Sequence, residues 1–258
     1  MNALLRALGR IAFAVLPKHS ALLYRLAKRY VDRFHGNNQL DMRTNGELVF
    51  MQQQLPHARL VFDVGAATGD WAAHALAINP ALDLHCFEPN PASFARLAAL
   101  NLHARVNPFA IGDANGEAVL HASVAAPQLG SLYERSGVDI PQNGTHQAIL
   151  IRTLDDYCAE HGIASVDFVK LDVEGHEAAV IRGMEALLGA RAVRVIQFEY
   201  GGANIDARVL LKDLWATLSR HGYRLWKLFP EGPRRYERYT QELEDFQYQN
   251  WAAILENE

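Results

Sequence analysis

The segment Val61-Phe62-Asp63-Val64-Gly65-Ala66-Ala67-Thr68-Gly69-Asp70-Trp71 decides the fold. A β-branched and aromatic run enters a turn with two glycines and passes at once into a helical pattern. A strand that hands the chain to a helix in this way places unpaired helix N–H groups beside a tight turn, which is a nucleotide-binding arrangement. The glycine spacing is G-x-x-x-G, not G-x-G-x-x-G, so the close pyrophosphate approach of a nicotinamide site is absent. The same turn is equally a packing turn, and other residues must decide between the two.

Working outward, short apolar runs recur at 59–64, 82–87, 105–110, 166–171 and 193–198. Helical patterns at 70–78, 91–102, 177–188 and 207–221 alternate with them. That alternation predicts an α/β protein with a Rossmann-like, doubly wound, mostly parallel sheet. Runs at 117–124 and 147–152 read as extra strands around a long Gly/Pro/Ser/Asn-rich loop at 126–146. Residues 223–229 and 249–255 read as a closing antiparallel pair, so the C-terminal strand is expected to be antiparallel. The expected division is a helical extension at 1–56 and an α/β domain at 57–258.

The chain has 258 residues, half of them apolar, and a net charge of −4. These values exclude a disordered chain and argue against a generic nucleic-acid binder. The charge is unevenly placed. Residues 1–35 hold Arg6, Arg10, Lys18, Arg25, Lys28, Arg29 and Arg33 against Asp32, a local +6, and the rest carries −10. Leu4, Leu5, Leu8, Ile11, Ala12 and Val15 give this basic arm an apolar side, and Pro17 interrupts it. Such an arm is suited to packing as a helical cap, to pairing two subunits or to lying on an anionic membrane surface, with packing or pairing ranked first. Cys86 and Cys158 lack metal-type spacing and read as reduced structural thiols, which fits a cytoplasmic protein. No run is long and apolar enough to span a bilayer.

Nineteen residues after Gly69 comes Glu88-Pro89-Asn90-Pro91, at the tip of the second predicted strand. An acid there accepts hydrogen bonds from ribose hydroxyls, and Asp63 is placed for an ammonium group. The cofactor candidates are therefore Asp63, Gly65, Ala66, Thr68, Gly69, Asp70, Trp71, Glu88, Pro89 and Asn90. Asp113 closes the third strand, where it faces an adenine amino group or simply forms a turn with Asn115-Gly116. An amino-acid end with no pyrophosphate describes S-adenosylmethionine.

The motifs then resemble, in order and over most of 60–255, those of the FkbM family of S-adenosylmethionine-dependent methyltransferases. They are Phe62-Asp63-Val64-Gly65-Ala66 with Gly69, Phe87-Glu88-Pro89-Asn90-Pro91 and Thr153-Leu154-Asp155-Asp156. After these come Val166-Asp167-Phe168-Val169-Lys170-Leu171-Asp172-Val173-Glu174-Gly175-His176-Glu177, Ile196-Gln197-Phe198-Glu199-Tyr200 and Asn250-Trp251-Ala252-Ala253. The family usually reads G-A-N in the first turn, where this chain has Ala67. The resemblance implies a class I methyltransferase fold and O-methylation of a hydroxyl on a sugar, glycolipid or secondary metabolite.

Four residues at strand ends are the catalytic candidates: His176 as general base, with Asp172, Glu174 and Glu199 around it. Asp172 is also a cofactor candidate. Asp172 and Glu199 are the pair considered for Mg2+, ranked below a metal-free site. Glu177 reads as a first-turn charge and Thr153 as a helix cap. Loop 126–146 reads as an acceptor lid or an insertion. The competing functions are a cofactor-binding module without turnover and a nucleotide-dependent oxidoreductase. Base-amino methylation of nucleic acid is disfavoured, because Asn79-Pro80, Asn90-Pro91 and Asn107-Pro108 do not continue into a second proline and an aromatic residue.

Overall fold

The computed structural model describes residues 13, 16–123, 130–135 and 144–256. The arm residues Leu4 to Ala12 and Val15, and positions 124–129 and 136–143 of the long loop, lie outside the described residues. The chain divides into two compact units at Asn37/Asn38. In the first, Ala21–His35 is a helix capped by the Ser20 side chain, which accepts from the Leu23 N–H. The boundary expected at residue 56 falls earlier because Glu47–Gln54 is integral to the second unit. There Gln197 Nε2 donates to Glu47 Oε1 at 2.6 Å.

The second unit is built on β1 (Leu60–Val64), β2 (Asp83–Phe87), β3 (Ala104–Asn107), β4 (Ala110–Ile111), β5 (Gly116–Ser123) and β6 (Gly144–Arg152). It continues with β7 (Val166–Leu171), β8 (Val193–Tyr200), β9 (Tyr223–Lys227), β10 (Arg234–Tyr236) and β11 (Gln249–Leu255). Eight strands form one sheet in the order β10-β9-β11-β8-β7-β1-β2-β3. β3, β2, β1, β7 and β8 pair in parallel, and β11 runs antiparallel between β8 and β9. The expected doubly wound, mostly parallel α/β sheet with an antiparallel C-terminal strand is therefore present. Strand order reverses between β1 and β7, and crevices at such switch points hold ligands.

The central strands bury both faces, as a parallel sheet requires. Phe62, Phe87, Tyr157, Val180, Leu188 and Leu214 belong to one core, and Phe50, Met51, Trp71, Leu97 and Phe168 to the other. Gly65 has φ 81°, and a Cβ there would overlap the Asp172 carbonyl oxygen. The turn after β1 therefore needs glycine both for its backbone and for the approach of the chain leaving β7.

Three differences from the sequence reading have local causes. The single strand expected at 105–110 is split into β3 and β4 around Pro108, which has no N–H to donate to a ladder; β4 joins a separate sheet in the order β4-β6-β5. The helix expected at 177–188 breaks into Glu177–Arg182 and Glu185–Gly189 at Gly183, which packs on the Gly112 carbonyl. The basic-aromatic stretch at 234–236, to which the sequence reading assigns no element, is edge strand β10, paired with Leu225–Lys227. Among the described residues, no helix is long and apolar enough to cross a membrane.

Candidate active site

A cavity of about 920 Å3 opens beyond the carboxyl ends of β1, β2 and β7. Its wall includes Gly65, Ala66, Ala67, Thr68, Asp70 and Trp71 from the first turn and helix, then Glu88, Pro89 and Asn90 from the end of β2. Asp172, Glu174, His176 and Glu199 complete it from the ends of β7 and β8. Residues far apart in the chain thus converge as the motif order implied.

Glu88 stands at the tip of β2, on the cavity wall. Its carboxylate accepts from the Ala67 N–H at 2.8 Å and the Asn90 N–H at 2.7 Å, which aligns the two loops. Burial pushes its pKa up to about 7, against the opposing effect of those two N–H donors. Asn90 then caps the helix Pro91–Ala99, accepting from the Ala92 N–H. Ala67, where the resemblance expects asparagine, has φ 45°. This left-handed backbone costs an alanine about 1–2 kcal/mol, and an asparagine less. Ala67→Gly is therefore expected to raise stability by about 0.5–1 kcal/mol, read as an upward shift of the urea midpoint at constant slope.

Three cofactor candidates, Asp63, Gly69 and Asp113, lie off the wall, Gly69 within the turn itself. Asp63 is fully buried beneath the turn, and its neighbour is Lys170, whose Nζ is 3.4 Å away. It is placed to support the loop rather than to reach an ammonium group. Asp113 is on the surface, paired with Arg182 at 2.7 Å; Ala110 and Ile111 line the cavity near it instead. The turn-forming alternative for Asp113 matches that position, since Asn115 accepts from the Thr153 N–H.

The polar floor contains a residue that sequence reading passed over. Asp63 and Lys170 are register partners on β1 and β7, and Lys170 and Gln197 are partners on β7 and β8. Lys170 Nζ also reaches Asp172 Oδ2 at 3.2 Å, and it lies 5.8 Å from the Trp71 ring centre. Burial alone would lower the Lys170 pKa, but Asp63, Asp172, Glu47 and Glu199 together raise it, so the residue is an ammonium ion. The available signal was a lysine inside an otherwise buried strand. Glu47 and Tyr248 had none. Glu47 comes from a segment assigned to the extension, and Tyr248 precedes β11 and donates to Glu199 Oε1 at 2.6 Å. Burial, then the charge of Asp172, drives the Glu199 pKa well upward.

His176 differs from its expected role. The Tyr133 hydroxyl and its Nδ1 share a hydrogen bond at 3.0 Å, and its Nε2 is buried beside Gly112 with no hydrogen-bond partner among the described residues. Burial lowers its pKa to about 4. Both nitrogens are therefore withheld from the cavity. Glu174 has φ 51° and is paired with Arg135 Nη1 at 2.6 Å, while Ser131 Oγ donates to its carbonyl. Residues 131–135 of the long loop are thus fastened to the turn after β7. Glu177 is wholly buried and accepts from the Val173 and Gly175 N–H groups at 3.3 Å, which shapes the same turn. Thr153 caps its helix as expected, accepting from the Asp156 N–H. Asp172 keeps access to the cavity, its side chain 32% exposed. Among the described residues, no three His, Cys, Asp or Glu side chains are grouped to hold a metal ion.

The donor set fits S-adenosylmethionine. Glu88 is poised for hydroxyl groups, the wall is acidic toward a cation, and Gly65 leaves room for close approach. Residues 63–225 match the methyltransferase FkbM domain. The chain is 30% identical over 188 residues to the 2-O-methyltransferase NoeI of Sinorhizobium fredii, covering 67% of this chain and 75% of that protein. It is 30% identical over 192 residues to the 31-O-demethyl-FK506 methyltransferase FkbM of Streptomyces tacrolimicus, covering 64% and 72%. A hexuronic acid methyltransferase, AglP of Haloferax volcanii, is 25% identical over 185 residues, covering 67% and 70%.

Proposed function

This chain belongs to the FkbM family of S-adenosylmethionine-dependent methyltransferases, and we propose that it methylates a hydroxyl group of a sugar or sugar-bearing metabolite, with Asp172 as the proton acceptor. The observation that carries the reading is the convergence of Glu88 and Asp172 on one cavity, at opposite sides of the Gly65–Gly69 turn. Support for a hydroxyl comes from the 2-O- and 31-O-directed relatives, and support for a sugar from the relative that acts on hexuronic acid.

When bound, S-adenosylmethionine supplies an electrophilic methyl carbon on a cationic sulfur. Ala66, Ala67, Glu88 and Asn90 would hold its nucleoside part, and Gly65 and Asp70 would border its amino-acid part. Asp172 takes the proton of the acceptor hydroxyl as that oxygen becomes a nucleophile. Lys170 holds the Asp172 carboxylate from below, at 3.2 Å. The Tyr248–Glu199 pair and Arg43 border the remaining cavity, where an acceptor would be oriented. His176 and Tyr133 fix the turn that presents Asp172, as positioning residues.

Methyl transfer from radiolabelled S-adenosylmethionine into a panel of neutral and acidic glycans tests the reading. The expected product is an ether that survives mild alkali. An alkali-labile methyl ester would assign a carboxylate acceptor and overturn the hydroxyl. Calorimetry showing binding of NAD and not of S-adenosylmethionine would overturn the cofactor as well.

Cofactor affinity should also report on Glu88. Ribose hydroxyls donate to the carboxylate, so binding favours its ionised form, and the free protein holds that group near a pKa of about 7. Affinity is therefore expected to rise by up to about tenfold per pH unit below 7 and to level off above it. Calorimetric titrations from acid to neutral pH should show this slope, and Glu88→Gln should bind weakly with the slope removed.

A further inference from the structure

We propose that the helix Ala21–His35 docks this protein onto an anionic membrane surface, lying in the plane of the interface. None of its residues is buried. At 3.6 residues per turn, Leu23, Tyr24, Leu26, Ala27, Tyr30, Val31 and Phe34 share an arc of about 160°. Within it, Tyr24 is 68% exposed, Tyr30 71% and Phe34 66%. The complementary arc carries Arg25, Lys28, Arg29 and Arg33 against Asp32, a net +3, and Asp32 is paired with Lys28 at 3.0 Å. The preceding sequence adds Lys18, Arg10 and Arg6, with no acid before Asp32.

Charge and shape together select the occupant. A second copy packed on the apolar arc would leave the +3 of the complementary arc uncompensated, whereas anionic headgroups at the same surface neutralise it. An apolar arc this broad is also wider than the narrow seam of a helix pair. A bilayer containing anionic lipid complements both features: its acyl boundary receives Leu26, Tyr30 and Phe34, and its headgroups receive the arginines. Fifteen residues make a helix of about 22 Å, short of the ~30 Å hydrocarbon core, so the helix lies on the surface and does not cross.

The test uses the full chain and vesicle sedimentation, with phosphatidylcholine alone and with phosphatidylcholine and phosphatidylglycerol mixed two to one. The expected result is binding to the mixed vesicles that weakens as salt is raised, and little binding to phosphatidylcholine alone. Tyr30→Glu with Phe34→Glu, and separately Arg25→Gln with Arg29→Gln and Arg33→Gln, should each lower the partition coefficient at least about tenfold. These side chains are exposed, so the variants should retain S-adenosylmethionine binding in calorimetry, which shows that the second unit is folded. Failure to sediment with mixed vesicles overturns the proposal, as does partitioning that neither variant changes. A dimer that ignores salt, is broken by Tyr30→Glu with Phe34→Glu, and binds no vesicles would assign the face to a second copy instead.

Discussion

Replacing Lys170 by methionine is expected to cost about 3–5 kcal/mol of folding stability, the loss that follows when one partner of a buried ion pair is removed. Asp63 is wholly inaccessible, and Lys170 at 3.4 Å is its compensating charge. Without that ammonium the carboxylate must stay charged in an apolar strand layer or take up a proton on folding. Burial already raises the Asp63 pKa, and losing Lys170 would raise it further. A group whose folded pKa exceeds its unfolded value is most stabilising below the unfolded value, and that contribution disappears as pH rises through the folded one. Lys170→Met should therefore be least handicapped in acid and fall further behind as pH rises. Urea unfolding at pH 5 and pH 8 checks the sign. Asp63→Asn in the same chain removes the stranded charge and should recover much of the loss. A Lys170→Met protein within about 1 kcal/mol of the parent at both pH values would show that the cluster is not held by this cation.

Asp172→Asn is expected to lower turnover by about 10^2- to 10^4-fold, the usual contribution of a positioned general base. Cofactor affinity should change far less, because Glu88 and the first turn remain intact. The comparison that decides is with His176→Ala. If the occluded imidazole only braces the turn, its removal should slow turnover less than Asp172→Asn does. It should also leave the pH profile in place. A profile that loses its limb in His176→Ala, with Asp172→Asn still active, would return the base to the histidine.

The nucleoside end of the site was legible because its determinants are local. Gly65, Gly69, Glu88 and Asn90 are read from turn chemistry and strand ends, and all line the cavity or its turns. The catalytic end was legible only as a list of acids. Nothing near His176 in the chain says that Tyr133, 43 residues earlier, will bond its Nδ1, or that Gly112 will close over its Nε2. Glu47 reads as part of an arm until Gln197, 150 residues away, is seen to bond it.

From its sequence alone this protein was determined to be a parallel α/β chain with a glycine turn, an acid at the second strand tip and an Asp172–Glu177 string, each set by neighbours in the chain. Hydrophobic alternation and turn residues act over a few positions, so they can be read there. The tertiary structure decided which acids are charged, which are open and which merely support. Those properties follow from sheet register, which sets Asp63 beside Lys170, and from burial, which closes His176 and leaves Asp172 open. A side chain's charge and access are set by what surrounds it in space, and a strand pairing across a hundred residues is what brings those surroundings together.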